Sequence, residues 1–492
     1  MASIDRHQKQ ELAALAVEAM LERGLAPEFT PDVLRQVAEL DAAEDPAAGE
    51  HADTRDLTGL LWCSIDNDDS RDLDQLTVAE ALPGGEVRML VAIADVDSLV
   101  PRSSLIDLHA QINTTSVYTS ARIFPMLPER LSTDLTSLNP GTTRPALVTA
   151  IVFDPHGRET HSEIFRARVH NKAQLAYDAL SDWIDGNGPL PEAADAVPGL
   201  DEQIRLQDRL AQKLRAIRRE HGALDFQTFQ PKATFDGDRV VAISQQVQNR
   251  ARQLIEEFMI ATNGVAARFL AGKRRASIRR VVRSPERWAR IVEVAAEYGE
   301  ALPPEPDPVA LERFLAVQRK RDPLRFPDLS LVIIKLMGAG EYVVETPSGP
   351  KLGHFGLAVR DYSHSTAPNR RYPDLLTSRL LKAALDGLPS PYSDAELGIL
   401  ATRCTRQEDA ADKVERQLRK SEAAMLLQSR IGELFDGVVT GTGKGNTWLR
   451  IFSPPAEGKL ITGSTMRVGQ KTRVRLVATD FERGYIDFEP AG

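Results

Sequence analysis

Residues 61–77 read LWCSIDNDDSRDLDQLT, which places five aspartates and a serine between two apolar runs. Carboxylates this close together raise one another's pKa unless a cation lies among them. Hard oxygen ligands suit magnesium, manganese or calcium, and the lack of nearby His, with only Cys63 as a soft ligand, argues against zinc. The stretch therefore predicts either a divalent metal centre or a polar surface loop between two strands.

An EF-hand calcium loop does not fit this stretch. Asp66, Asp68 and Ser70 would occupy its first, third and fifth positions. The sixth position would be Arg71 where that loop needs glycine, and the twelfth would be Thr77 where it needs a bidentate glutamate. The pattern therefore excludes this calcium motif and leaves the other divalent ions open.

The composition is that of an ordinary globular protein, with 492 residues, 42% hydrophobic and 27% charged. This length suits about three domains. Only Cys63 and Cys404 are present, which favours a reducing cytoplasm over a disulfide framework. The start, MASIDRHQKQ, is too polar for a signal peptide, and the apolar run 329–340 is short and interrupted by Lys335. A cytoplasmic protein without a membrane segment is expected.

The formal charge of −9 is unevenly distributed along the chain. Residues 1–60 hold 13 acidic and 5 basic side chains, so nearly all of the excess lies there. The basic runs 273–283 and 318–325 lie in the near-neutral remainder. They are interpreted either as a track for phosphates or as solvated faces.

Residues 6–23 and 31–41 have helical spacing, and Thr30 and Pro31 predict an N-cap followed by a first-turn proline. This helical module is either a helix-turn-helix or winged-helix relative, or a two-helix cap docked on the main domain. Residues 41–56 read as an acidic linker.

The rest of the chain predicts an α+β fold. Strands are expected at 57–65, 73–81, 87–96 and 146–153, and helices at 203–219, 247–270, 375–385 and 404–434. After residue 434, five short segments punctuated by glycine predict a small OB-type barrel, a platform for single-stranded nucleic acid. Trp448 and Phe452 are candidates there for base stacking or for the barrel core.

Four motifs, in this order, resemble the RNB exoribonucleases, a family typified by ribonuclease II. They are IDNDDSRDLDQ (65–75), FPMLPERLSTDLTSLNPGTTRPAL (124–147), QLIEEFMIATNGVAARFL (253–270) and HFGLAVRDYSHSTAPNRRYPDL (354–375). The resemblance implies an N-terminal module (1–56), a mixed α/β RNB catalytic domain (57–431) and an S1-type barrel (432–492). It also implies processive 3′-to-5′ hydrolysis of single-stranded RNA to nucleoside 5′-monophosphates, with two magnesium ions or with manganese.

The resemblance also assigns the catalytic centre. It implies that Asp66, Asp72 and Asp74 bind metal, and that Arg370 faces the scissile phosphate alongside Asp72 and Asp74. Gln75 occupies the position of the family's fourth aspartate. An amide oxygen can coordinate a cation but brings no charge, so weaker binding of the second metal is expected.

Six further residues are implied in RNA binding: Tyr118, Phe226, Tyr177, Glu256, Glu415 and Arg371. The first two match aromatic side chains that clamp stacked bases. Tyr177 and Glu256 match residues that read the ribose, whose 2′-hydroxyl distinguishes RNA from DNA. Glu415 matches a glutamate at the terminal nucleotide, and Arg371 is the second arginine of the motif.

Two departures from the family pattern shape the alternatives. The 56 residues before the catalytic domain cannot hold the two cold-shock barrels that family members commonly carry, and no lysine-rich tail follows the S1-type barrel. Single-stranded substrates are therefore expected, with no obligate protein partner. The alternative, motivated by Gln75, is a catalytically weak or silent RNA-binding protein. A DNA-binding role for the N-terminal module is disfavoured by its negative charge.

Overall fold

The computed structural model describes residues 7–40, 53–228, 231–245, 248–443, 446–461 and 466–491. Its helices are α1 Gln8–Glu22, α2 Pro31–Ala38, α3 Leu105–Asn113, α4 Tyr177–Ile184, α5 Glu192–Asp195, α6 Leu200–Glu220, α7 Arg250–Gly272, α8 Trp288–Glu297, α9 Pro308–Arg321, α10 Phe326–Met337, α11 Tyr372–Leu385 and α12 Asp394–Leu427. Its strands are β1 Arg55–Asp56, β2 Cys63–Asp66, β3 Gln75–Ala81, β4 Val87–Ala94, β5 Val117–Tyr118, β6 Ile123–Phe124, β7 Thr143–Phe153, β8 Glu159–His170, β9 Ala173–Ala176, β10 Pro231–Asp236, β11 Arg239–Gln245, β12 Ser277–Val281, β13 Glu341–Glu345, β14 Leu434–Gly443, β15 Asn446–Phe452, β16 Pro455–Leu460, β17 Lys471–Asp480 and β18 Tyr485–Pro490. The predicted acidic linker lies outside the described residues up to position 52.

A seven-stranded mixed sheet forms the centre of the main domain, in the order β1-β8-β7-β4-β3-β2-β9. The strands from β8 to β3 are antiparallel neighbours, whereas β1 pairs with β8 and β2 pairs with β9 in parallel. Residues 89–94 of β4 are all buried, as expected for a strand covered on both faces. The aspartate loop joins β2 to β3 and so lies at one end of this sheet.

The strand before the loop is shorter than the predicted 57–65. Only Cys63–Asp66 is a strand. The preceding residues form a turn that is closed by a hydrogen bond from the Trp62 indole N–H to the Leu57 carbonyl at 2.9 Å. The sequence pattern predicted a longer strand because Trp62 is apolar, but its ring is buried next to a turn and is not part of a strand.

The N-terminal module is a two-helix cap docked on the main domain. The Thr30 side chain accepts a hydrogen bond from the Val33 N–H, which confirms the predicted N-cap. Helix α1 packs on α12 and α2 packs on α3. The segment between them is held by Asn113, whose Oδ1 accepts from the Ala26 N–H at 2.7 Å and whose Nδ2 donates to the Ala26 carbonyl at 2.8 Å.

Helix α12 differs from its predicted span of 404–434. It begins ten residues earlier because Ser393 and Glu396 form a capping box, which satisfies N–H groups at the helix start. It ends at Leu427, because the chain turns there into β14.

Within the described ranges, three hydrophobic cores hold these elements together. The first lies around the central sheet, and the third lies within the subdomain of α8, α9 and α10. The second joins α1, α12, the barrel and two short hairpins, β5–β6 and β10–β11. The N-terminal helix is therefore part of a core that also supports the barrel.

Strands β14-β15-β16-β18-β17 form a closed barrel, as predicted. Trp448 lies on its outside at 42% exposure, opposite Lys459 on the neighbouring strand, whereas Phe452 is partly buried. The barrel contacts the three-helix subdomain through an ion pair between Arg450 and Asp328 at 2.9 Å. The α+β architecture, with its helical module and terminal barrel, is confirmed. None of the helices in the described ranges is both long and apolar enough to cross a membrane.

Candidate active site

Leu73 anchors the aspartate loop. Its side chain is buried, its N–H donates to Ser137 Oγ at 2.9 Å, and its carbonyl accepts from the Leu138 N–H at 2.9 Å. Side chains alternate along an extended chain, so its neighbours Asp72 and Asp74 project away from the core that Leu73 enters. The loop thus presents two carboxylates from one fixed point.

Asp74 is the most buried of the predicted metal ligands, at 1% exposure. Its Oδ1 accepts from the Asn369 N–H at 2.8 Å, and its Oδ2 lies 3.2 Å from Arg370 Nε. Burial raises the pKa of Asp74 to about 7 against the opposing effect of Arg370, and the charge of Asp72 adds to the rise. The carboxylate and the guanidinium are therefore brought together as the resemblance implied.

The two arginines of the motif have different surroundings. Arg370 keeps 43% of its side chain exposed, which leaves part of its guanidinium open to a ligand. Arg371 Nη2 donates to the buried Asp374 at 2.7 Å, and the same carboxylate accepts from the N–H groups of Thr366 and Ala367. Arg371 thus shapes the turn that positions Arg370, which sequence reasoning did not anticipate.

Tyr118 joins the aspartate loop to α12. It ends β5, its hydroxyl donates to Asp72 Oδ2 at 2.8 Å, and its N–H donates to Glu415 Oε1 at 3.0 Å. The ring remains 37% exposed. The predicted base-clamping residue Tyr118 therefore contacts both a predicted metal ligand and the predicted terminal-nucleotide residue.

The ribose-reading candidates lie on the other side of the loop. Asp66 ends β2, and Tyr177 follows β9, the parallel neighbour of β2. Burial raises the pKa of Tyr177, and the charge of Asp66 raises it further, so the two side chains are within electrostatic reach. Arg252 lies 4.4 Å from the Tyr177 ring centre and donates to Asn67 in the loop. Glu256 lies one helical turn beyond Arg252 on α7.

Arg252 and Asn369 are site residues that sequence reasoning missed. Asn369 is fully buried and supplies the N–H that binds Asp74. Its position next to Arg370 in the sequence could have identified Asn369 as a site residue. For Arg252 the signal was its spacing of four residues from Glu256, which places both on one face of α7.

Phe226 lies with a different group of residues. Its side chain is partly buried and packs against the core of α8, α9 and α10. Glu256 is nearby, because it contacts Arg218 at 3.4 Å and is affected by the charge of Asp225, the residue before Phe226. The role of Phe226 in clamping bases stays a prediction.

The donor chemistry of the loop fits a hard divalent cation. Asp66, Asp72 and Asp74 offer only oxygen atoms, and burial raises the pKa of Asp66 and of Asp74, with Asp72 contributing to both. A cation would relieve this cost. Over the residues that the structure describes, however, no three His, Cys, Asp or Glu side chains already form a metal site. Gln75 is 5% exposed and opens β3 opposite Ile93.

Asp69, another carboxylate of the loop, has a partner outside the predicted metal site. It is 75% exposed at the side chain and lies 3.5 Å from Lys232 on β10. This contact ties the β10–β11 hairpin to the aspartate loop. A role for Asp69 in metal binding is therefore less favoured than a role in connecting the two loops.

Several arginines of the basic runs form ion pairs within the protein. In the run 273–283, Arg279 pairs with Glu345 at 2.8 Å and Arg280 with Glu408 at 2.6 Å. In the run 318–325, Arg319 pairs with Asp225 at 2.8 Å. These partners favour a structural role over a continuous phosphate track.

Two family models match this chain. A model described as the RNB domain matches residues 54–387, and one described as the RNase II-type exonuclease C-terminal S1 domain matches residues 433–491. This chain belongs to the RNB domain family.

The chain is similar to several proteins named ribonuclease R. It is 30% identical to Ribonuclease R of Vibrio cholerae over 94% of this chain and 60% of the relative, and 30% identical to Ribonuclease R of Escherichia coli over 96% and 62%. It therefore spans about three fifths of the length of these curated relatives. The solved structure of Mycoplasma genitalium RNase R in complex with ribose methylated single-stranded RNA has a TM-score of 0.87 at 23% identity, over 98% of this chain and 78% of that one. That likeness supports the fold.

Proposed function

We propose that this protein is a 3′-to-5′ exoribonuclease that hydrolyses single-stranded RNA processively to nucleoside 5′-monophosphates. The observation that carries the proposal is the pairing of a buried Asp74 with a half-exposed Arg370 at 3.2 Å. Membership of the RNB family and the similarity to proteins named ribonuclease R support it.

Arg370 and Asp74 act as a unit in this proposal. The planar guanidinium binds a non-bridging oxygen of the scissile phosphate, which suits an oxyanion better than a lysine ammonium would. Asp74 and the Asn369 N–H fix the direction in which Arg370 points. Two charged groups held in place before the substrate arrives need little reorganisation during the reaction.

Asp66, Asp72 and Asp74, with the amide oxygen of Gln75, would hold magnesium or manganese. When bound, such ions supply an activated water and neutralise phosphoryl charge. Burial and mutual repulsion favour binding of a cation by these carboxylates. The site places no soft ligand among the donors.

The RNA contacts follow from the same arrangement. Tyr118 presents an exposed ring on which the 3′-terminal base stacks. Tyr177 and Glu256 read the ribose. Glu415, which binds the Tyr118 N–H, contacts the terminal nucleotide. Phe226 clamps a stacked base. We keep the division into a module (1–56), a catalytic domain (57–431) and a barrel (432–492), and a cytoplasmic location, as parts of this proposal.

The test follows 5′-labelled single-stranded RNA over time with magnesium. Stepwise shortening from the 3′ end is expected, with nucleoside 5′-monophosphates as products, and neither EDTA-treated protein nor the Asp74→Asn variant should shorten the RNA. Cleavage of a circular RNA into linear fragments would contradict an exonuclease. Matched single-stranded DNA and a duplex with a 3′ overhang define the substrate class.

Gln75 favours a second candidate, a weak or silent RNA-binding protein that keeps the same channel. An amide brings no negative charge to the metal site, so one cation is held less tightly. Single-turnover hydrolysis by wild type and by Gln75→Asp separates the candidates. Brisk hydrolysis by wild type would reject the second one.

A further inference from the structure

The hairpin that carries Tyr118 is small and is held by contacts at its base and at its turn. Strands β5 and β6 have two residues each, and Val117 and Phe124 enter the second hydrophobic core. In the turn 119–122 beyond Tyr118, Ala121 packs against the same core, and Thr119 Oγ1 donates to the Arg122 carbonyl at 2.6 Å. Arg122 also pairs with Glu28 at 2.7 Å, so contacts from outside the hairpin help to hold this end.

Glu422 on α12 makes such a contact. Its Oε2 accepts from Ser120 Oγ at 3.3 Å, two residues after Tyr118. Glu422 lies seven residues after Glu415, which binds the Tyr118 N–H, and a spacing of seven places both on one face of the helix. Two carboxylates of α12 thus hold the hairpin at neighbouring points.

Glu422 is a buried acid. The residue is 2% exposed, and its Oε1 is buried with no hydrogen-bond donor among the residues that the structure describes. Burying a carboxyl with an unpaired oxygen is costly, and burial raises its pKa to about 7. The contact of this side chain with Ser120 links α12 to the hairpin turn.

We propose that Glu422 is a positioning residue that holds the Tyr118 ring in place for the 3′-terminal base. It acts through Ser120 and the hairpin turn and does not touch RNA itself. The inference rests on the proposed function, because it requires Tyr118 to bind the end of an RNA strand. It adds a residue that none of the four sequence motifs contains.

The test measures binding of a short fluorescent single-stranded RNA to the full chain carrying Asp74→Asn, so that no RNA is consumed. Glu422→Ala is expected to raise Kd about tenfold, consistent with loss of one hydrogen bond. Glu422→Gln keeps an acceptor for Ser120 and should change Kd less than about twofold. Asp409→Ala, on the same helix but paired with Lys413, is the matched control.

The decisive measurement repeats Glu422→Ala in a Tyr118→Ala background. If Glu422 acts through Tyr118, the second substitution adds less than about twofold, because coupled residues are not additive. An equal loss in both backgrounds, or no loss with Tyr118 present, would overturn the inference. If thermal melting shows that Glu422→Ala is unfolded, Ser120→Ala tests the same contact from its other partner. Failure of the Asp74→Asn parent to bind RNA at all would instead count against the proposed function.

Discussion

Asp74 and Arg370 form an ion pair between unequal partners, because the carboxylate is 1% exposed and the guanidinium is 43% exposed at a separation of 3.2 Å. The carboxylate is fixed by the protein, while part of the guanidinium faces outward. Arg370 can therefore bind a phosphate without giving up its contact with Asp74.

Replacing Arg370 by lysine is expected to lower the single-turnover rate on RNA by about 100-fold, because removal of one positioned oxyanion donor costs on this scale. Lysine keeps the charge but loses the planar fork. The Kd for RNA should change little. Arg88→Lys, at an exposed pair with Glu80 on the sheet, is the control and should retain the wild-type rate.

The stability of the metal-free protein should fall between about pH 4 and pH 7. The Asp74 carboxyl has a folded-state pKa raised to about 7, against about 3.9 in an unfolded chain. In this window the folded state binds more protons, so its stability decreases as pH rises. Denaturant unfolding in EDTA should show Asp74→Asn gaining roughly 2–3 kcal/mol relative to wild type between pH 5 and pH 8. A constant difference would contradict the raised pKa.

Gln75→Asp is expected to tighten manganese binding about tenfold, because it adds a charge to an oxygen donor set. Calorimetric titration of the metal-free protein measures this without any reaction. Gln470→Asp, in an exposed turn of the barrel, controls for added charge alone. Equal manganese affinity in wild type and Gln75→Asp would show that Gln75 is not a metal ligand.

Tyr118→Phe and Tyr118→Ala separate two roles of one side chain. Phenylalanine keeps the ring but loses the 2.8 Å hydrogen bond to Asp72, so RNA binding should persist while the rate falls. Alanine also removes the stacking surface, worth about 1–3 kcal/mol per base, so KM should rise by roughly 5- to 150-fold. Equal KM values for the two variants would argue against stacking.

The N-terminal helix should contribute to stability rather than serve as an independent arm. Met20 is fully buried in the second core, whereas its neighbour Leu21 is 61% exposed. Met20→Ala is therefore expected to cost about 2–5 kcal/mol of unfolding free energy. Leu21→Ala should cost less than about 0.5 kcal/mol. Equal effects in chemical denaturation would show that α1 does not pack as described.

Much of the architecture could be predicted from local patterns. The N-cap at Thr30, the central strands and the closed barrel follow from spacing and turn residues. The grouping of Asp72, Asp74 and Arg370 was accessible through motif resemblance alone, because 296 residues separate Asp74 from Arg370. Contacts such as Tyr118 with Glu415 depend on how α12 crosses the hairpin, and no local pattern encodes that crossing.

The internal pairing of the basic runs has a consequence for how RNA is captured. Three arginines of these runs form ion pairs with carboxylates of the protein: Arg279 with Glu345, Arg280 with Glu408, and Arg319 with Asp225. These three guanidinium groups would then release few counterions when RNA binds, because that release scales with the phosphates a protein neutralises. They should contribute little to the slope of log affinity against log salt concentration.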